Sequence, residues 1–165
     1  MAPKSLPPIG KFPAQGKAVV IADGTYNIIN LASGTALRIS GTENIVGDSR
    51  ELPLSTQPEE EWTLKYDHTQ NAYTIVNKSS GTYITSDQLY TPLVQGQTEI
   101  FQATSSQLSY FTLHLTTITG AYAINPAEGG QVVELFQGSS ASGTAVQIVD
   151  SDGTPKQLWS FAAIA

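Results

Sequence analysis

Two histidines, His68 and His114, are the only imidazoles the chain can offer to acid–base chemistry, and 46 residues separate them with no ligand spacing. His114 falls opposite the stripe Phe111, Leu113, Leu115 and is expected as an exposed strand residue, and His68 is expected in a turn. The sequence contains no G-x-S-x-G elbow, no phosphate-cradling G-x-x-x-x-G-K-S/T and no H-E-x-x-H pair. A glycosidase pair would need one carboxyl in an apolar pocket to raise its pKa. The run Glu59-Glu60-Glu61 reads instead as a solvated approach to a strand. The segment Asp150-Ser151-Asp152-Gly153 has the start of a calcium loop but neither its remaining ligands nor a closing glutamate, and is predicted as a turn. Asn77-Lys78-Ser79 is a glycosylation sequon, meaningful only in a secreted chain. With no cysteine, thiol catalysis, disulfides, Cys-ligated zinc and iron–sulfur clusters are excluded. No catalytic residue, metal or cofactor is expected, and the chain is not expected to be an enzyme.

The charge balance narrows the partners. Fourteen acidic against eight basic side chains give a net charge of -6, the wrong sign for a protein that neutralises nucleic-acid phosphates. The longest aliphatic run near the start, residues 18–22, is far shorter than the ~20 residues of a spanning helix. Residues 1–16 carry four prolines where an export signal needs an apolar run of about 7–15 residues. The expectation is a soluble, cytoplasmic protein without membrane insertion, non-classical secretion being compatible with the same features.

Any site must therefore be positioned by elements rich in uncharged polar residues. Charged residues are 13% of the chain, against about 25% in an average domain, while Ser, Thr and Gln number 16, 18 and 12. Thr, Tyr, Val and Ile runs separated by Gly, Asn, Asp and Ser predict short strands, and no long amphipathic helix stands out. The chain reads as all-β.

A repeat orders these strands. Tyr26, Tyr73 and Tyr122 lie 47 and 49 residues apart, each followed two positions later by isoleucine (Ile28, Ile75, Ile124). Gly34, Gly81 and Gly130 come eight residues after each tyrosine, and Leu37, Ile84 and Val133 eleven after. Trp62, Phe111 and Trp159 then open alternating strands. Three units, about 23–69, 70–118 and 119–165, each supply about four strands, expected near 24–31, 35–40, 51–56 and 60–67 in the first. They predict a six-stranded barrel capped by three hairpins, a closure that removes sheet edges. Residues 1–22 lie outside the repeats as a proline-rich arm, with 18–22 available to extend the first strand.

The repeat, with Gln157-Leu158-Trp159 closing the last unit, resembles the β-trefoil of ricin-B-type lectins, and most of all small cysteine-free fungal trefoil lectins. The Q-x-W signature is complete only there; the first unit has Glu60-Glu61-Trp62 and the second Ser109-Tyr110-Phe111. The resemblance implies non-covalent carbohydrate binding in defence or recognition, with glycans or glycoproteins as partners and a homodimer as one route to multivalency. It places the sugar acceptor at Arg38, Thr85 and Glu134, so that only the third unit keeps a carboxylate. Alternation puts Phe136 on the face of Glu134, and Gln147 with Val149 on the matching face of the next strand. A carboxylate and amides suit sugar hydroxyls, and a ring suits a sugar's C–H face. Glu134, Phe136, Gln147 and Gln157 are thus the implied carbohydrate site. The pattern departs at Val149, where the family carries a stacking Trp or Tyr, and at Lys156, where it carries Asn. Fungal relatives that bind through a tyrosine rim make Tyr83, Tyr90 and Tyr110 a second candidate set.

Fungal trefoils also include protease inhibitors that insert a loop into a protease cleft. The loop predicted over 41–53 carries Arg50, a side chain suited to the carboxylate-lined pocket of a trypsin-like enzyme. Lectin and inhibitor are the two functions that the sequence leaves open.

Overall fold

A computed structural model describes residues 16–41, 44–48, 57–85, 102–104, 109–127 and 130–164. Its strands are β1 (Ala18–Val19), β2 (Gly24–Asn30), β3 (Ala36–Ser40), β4 (Asn44–Asp48), β5 (Trp62–Asp67), β6 (Ala72–Asn77) and β7 (Tyr83–Thr85). They continue as β8 (Gln102–Thr104), β9 (Phe111–Leu115), β10 (Tyr122–Pro126), β11 (Gln131–Leu135), β12 (Thr144–Asp150) and β13 (Trp159–Ala163). Three single-turn 3-10 segments, Pro58–Glu60, Phe136–Gly138 and Pro155–Gln157, lie between them. No helix among the described residues is long and apolar enough to cross a membrane.

The six strands β2, β5, β6, β9, β10 and β13 pair in a closed antiparallel ring. The hairpins β3–β4, β7–β8 and β11–β12 cap it, with β4 joined to both β8 and β12. The fold is a β-trefoil.

Its core is built from the repeat positions. Ile28, Ile75 and Ile124 are buried, as are Leu37, Ile84 and Val133 and the ring trio Trp62, Phe111 and Trp159. Each such side chain stabilises the fold by about 1.5–3 kcal/mol through burial. The two indoles also place their N–H groups: Trp62 Nε1 donates to the Leu37 carbonyl at 2.8 Å, and Trp159 Nε1 to the Val133 carbonyl at 3.0 Å. These bonds tie β5 and β13 to the cap hairpins of their own units.

Asn30 and Asn77 clip neighbouring units together. Asn77 Nδ2 donates to the Glu59 carbonyl and Asn30 Nδ2 to the Lys156 carbonyl, both at 2.9 Å. Each Oδ1 accepts two backbone N–H groups of the following turn, at Ala32 and Ser33 or at Ser79 and Ser80. Gly34 and Gly81 close those turns at φ +72° and +67°, where a side chain would be strained. Asn77 is 0% exposed with both ends of its amide engaged, so the sequon is no accessible acceptor in the folded chain.

Two expectations about local structure change. A strand not expected in the first unit, β4 at 44–48, pairs with β3, with Ile39 and Ile45 opposite each other and both buried, while the strand expected near 51–56 lies outside the described residues. The interval 41–53 is therefore no single loop; residues 49–56, Arg50 among them, lie outside the described residues. Residues 16–22, expected outside the repeats, are bound to the barrel. β1 pairs with β9 through Ala18 opposite His114 and Val19 opposite Leu113, taking the edge that β6 leaves after Tyr73 meets Phe111.

Candidate functional site

The β11–β12 register sets Glu134 directly opposite Gln147. Gln147 Nε2 donates to Glu134 Oε1 at 2.9 Å. From the 3-10 turn Pro155–Gln157, Gln157 Nε2 donates to Glu134 Oε2 at 2.7 Å and to the Asp150 carbonyl at 3.0 Å, while its Oε1 accepts the Asp152 N–H at 2.8 Å. Lys156 Nζ stands 4.0 Å from Glu134 Oε2 and 3.6 Å from Asp152. Three of the four residues of the implied site are thus joined in one cluster, with Glu134 only 6% exposed. Two amide donors use about half of a carboxylate's acceptor positions, and the remainder can accept from a ligand hydroxyl.

Phe136, the fourth residue of the implied site, follows the end of the strand. The strand ends at Leu135, and Phe136 opens the turn Phe136–Gly138, half-buried, followed by Gln137 at φ +54°. The turn packs closely on its neighbours: a Cβ on Gly138 would lie 3.1 Å from Ala32 and 3.2 Å from Lys156.

The equivalent position in the first unit carries a different chemistry. Arg38 Nη1 donates to Gln57 Oε1 at 2.5 Å, and its guanidinium pairs with Asp48 at 3.4 Å and Glu60 at 3.6 Å. Glu60 and Glu61, expected as solvated, are 3% and 2% exposed. Arg38 and Lys78 compensate them, Lys78 lying 3.5 Å from Glu61, and burial of a carboxylate needs such a partner. In the second unit Thr85 and Ser109 share a hydroxyl hydrogen bond of 2.9 Å.

Asp152 belongs to a closed turn. Its Oδ1 accepts from the Thr154 N–H at 2.9 Å and the Thr154 hydroxyl at 2.5 Å. Burial pushes its pKa up, but those bonds and Lys156 outweigh it and hold the carboxyl below its ordinary value. His114 is half-buried under β1; its Nε2 meets Thr112 Oγ1 at 2.9 Å and its Nδ1 the Gly16 carbonyl at 3.2 Å. Among the described residues no three His, Asp or Glu side chains converge as a metal site.

Of the second candidate set, Tyr83 and Tyr110 line one cleft of about 370 Å³, together with Tyr66, Lys65, His68 and Thr74. Tyr90 and Arg50 lie outside the described residues. Tyr66 stands opposite Tyr73 in the β5–β6 register, and the hairpin turn passes through Asn71 at φ +53°.

A family model described as ricin-type beta-trefoil lectin domain-like matches residues 17–95 and 58–149. The chain belongs to that family. Among solved structures, this ricin-type trefoil is similar to the Macrolepiota procera ricin B-like lectin, a structure in complex with lactose. Identity is 22% over 88% of this chain and 100% of that one, with a TM-score of 0.74. The Rhizoctonia solani agglutinin matches at 21% identity over 88% of this chain and 99% of its own, with a TM-score of 0.71. An exo-beta-1,3-galactanase from Clostridium thermocellum matches at 19% identity over 86% of this chain but only 30% of its own, with a TM-score of 0.67. No curated relative matches the sequence.

Proposed function

We propose that this ricin-type trefoil is a non-catalytic carbohydrate-binding protein whose third unit binds a glycan at Glu134, with glycans or glycoproteins as its partners. The observation that carries the reading is the carboxylate fixed by two side-chain amides, Gln147 and Gln157, at the acceptor position of the family fold. A fixed acceptor takes a ligand hydroxyl without first losing side-chain freedom, so its directionality becomes selectivity. Lys156 beside it adds a half-buried donor, and Phe136 an apolar ring at the end of the strand. The low charge of the whole chain suits a neutral ligand.

A glycan array probed with the labelled full chain, wild type and Glu134→Gln, tests this. The near-isosteric amide keeps the shape of the cluster and removes the charged acceptor. Binding to a defined glycan class that falls at least about tenfold in the variant is the expected result. Absence of binding to any glycan overturns the lectin reading.

A further inference from the structure

We infer that the cap hairpin of the second unit, β7–β8, opens as a local unit ahead of the other two caps, so that one third of the trefoil is adjustable. Three side-chain ties hold the caps of the first and third units. At the equivalent positions of the second unit each is lost or weakened.

The first tie belongs to the ring. Trp62 and Trp159 give their indole N–H groups to the Leu37 and Val133 carbonyls of their own caps. The second unit has Phe111 at the ring position, equally buried, with no N–H to give to Ile84, the counterpart of Leu37 and Val133. Apolar burial is retained there and the directional bond is lost.

The second tie is the asparagine of a neighbouring unit. Asn30 and Asn77 stand opposite Trp159 and Trp62 in the barrel register, and each clips the residue three before the ring, Lys156 or Glu59. Opposite Phe111 the register places Pro126. Proline has neither an amide side chain nor a backbone N–H. It cannot clip the approach to Phe111, nor close its own turn as Asn30 N and Asn77 N do on the Thr35 and Thr82 carbonyls at 2.9 Å. The seam keeps its backbone bond, Ala127 N to the Tyr110 carbonyl at 2.8 Å, the counterpart of Leu31 to Leu158 and Lys78 to Glu61. Beside the proline, Asn125 Oδ1 is buried and meets no hydrogen-bond partner among the described residues, so the third unit's side of the seam is unmatched as well.

The third tie joins the cap hairpin to the residue two before the ring. Arg38 with Glu60, and Glu134 with Gln157, each include a charged side chain. Thr85 with Ser109 is a neutral hydroxyl pair, and hydrogen bonds to charged groups are about twice as strong as neutral ones. An element opens locally at the cost of only the contacts that the opening breaks, so these differences fall directly on the population of the opened form. Opening moves Tyr83, Ile84 and Thr85 away from Val76 of β6, and with them one wall of the cleft that Tyr83 and Tyr110 line. That cleft is therefore the adjustable surface of the molecule. The Glu134 cluster sits on a cap that keeps its indole bond, its asparagine clip and its charged tie.

Native-state hydrogen exchange of the full chain, followed amide by amide in low urea, tests this. The expected result is that β7 amides exchange through an opening about ten- to hundredfold more populated than the one seen at the equivalent positions of β3 and β11. Its urea dependence should also be weaker, because a local opening exposes little surface. Phe111→Trp and Pro126→Asn give the second unit the residues of the other two. Either should slow exchange in β7 about fivefold, with β3 and β11 unchanged. Trp62→Phe does the reverse in the first unit. It should speed exchange in β3 by a similar factor and leave β7 alone, and it reads the same tie if the larger ring or the new asparagine is not accommodated. Equal protection in the three caps, with one urea slope throughout, overturns the inference. Fast exchange in β7 that folded Phe111→Trp and Pro126→Asn both leave unchanged overturns it too, as does a β3 indifferent to Trp62→Phe, since the ties would then not set the opening.

Discussion

Gln157 donates an amide N–H to Glu134 at 2.7 Å, and the same two repeat positions are joined in all three units. In the first unit they hold Arg38 and Glu60, an ion pair of opposite polarity; in the second, Thr85 and Ser109, two hydroxyls. One geometric device, a cap-hairpin side chain tied to the residue two before the core ring, is thus filled by three different chemistries. Only the third pairs a carboxylate with an amide. The first turns its charge inward on Asp48 and Glu60.

Removing Gln157 tests how much that tie contributes. In Gln157→Ala, Glu134 Oε2 and the Asp150 carbonyl each lose a donor, and the Asp152 N–H loses its acceptor. A loss of about 2–3 kcal/mol is expected in urea unfolding, from buried polar groups left unmatched.

Arg38→Met removes the guanidinium from the buried Glu60 carboxylate. The expected cost is about 2–4 kcal/mol, at or below the ~3–5 of a fully buried pair because a quarter of Arg38 lies in water. Adding Glu60→Gln to Arg38→Met should recover part of it, giving a non-additive double-mutant cycle. Strict additivity of the two unfolding free energies would show that the ion pair contributes nothing.

The turn at Asp152 governs part of the acid limb of stability. Its carboxyl is held below the ordinary value, so its contribution is complete above the unfolded carboxylate range near ~3.9 and is lost as pH falls through the lower folded value. Asp152→Asn should therefore lower the urea midpoint at neutral pH and flatten its decline below about pH 4. An unchanged acid limb would mean that other carboxylates carry it.

Tyr73 holds the segment before β2 at Ile21. Tyr73→Phe removes both bonds to Ile21, and the Ile21 amide should lose hydrogen-exchange protection by about tenfold or more while barrel amides keep theirs. Burial raises the phenol's pKa, so the stability it adds is intact below the usual ~10 and is lost as pH rises through the higher folded value. The wild-type chain should accordingly lose protection at Ile21 at high pH before Tyr73→Phe shows any further change.

How much was legible differs between the core and the site. The tyrosine, isoleucine, glycine and ring spacings determined the trefoil, because core positions are set by period and each repeat must bury the same face. The same spacing brought Glu134, Gln147 and Gln157 together, since strand register follows from which side chains are buried. What the sequence could not specify is charge burial and non-repeating contact. Glu60 and Glu61 read as solvated because their partners, Arg38 and Lys78, lie 22 and 17 residues away and meet them only in the folded chain. Residues 18–22 read as an arm or a strand extension because Tyr73, 52 residues from Ile21, is what holds them. The strand ends one residue before Phe136, and the left-handed Gln137 that turns the chain just after it is a conformation that alternation does not encode. Local period determined the barrel; the tertiary structure decided which polar groups meet, because long-range pairing creates neighbours that no sequence window contains.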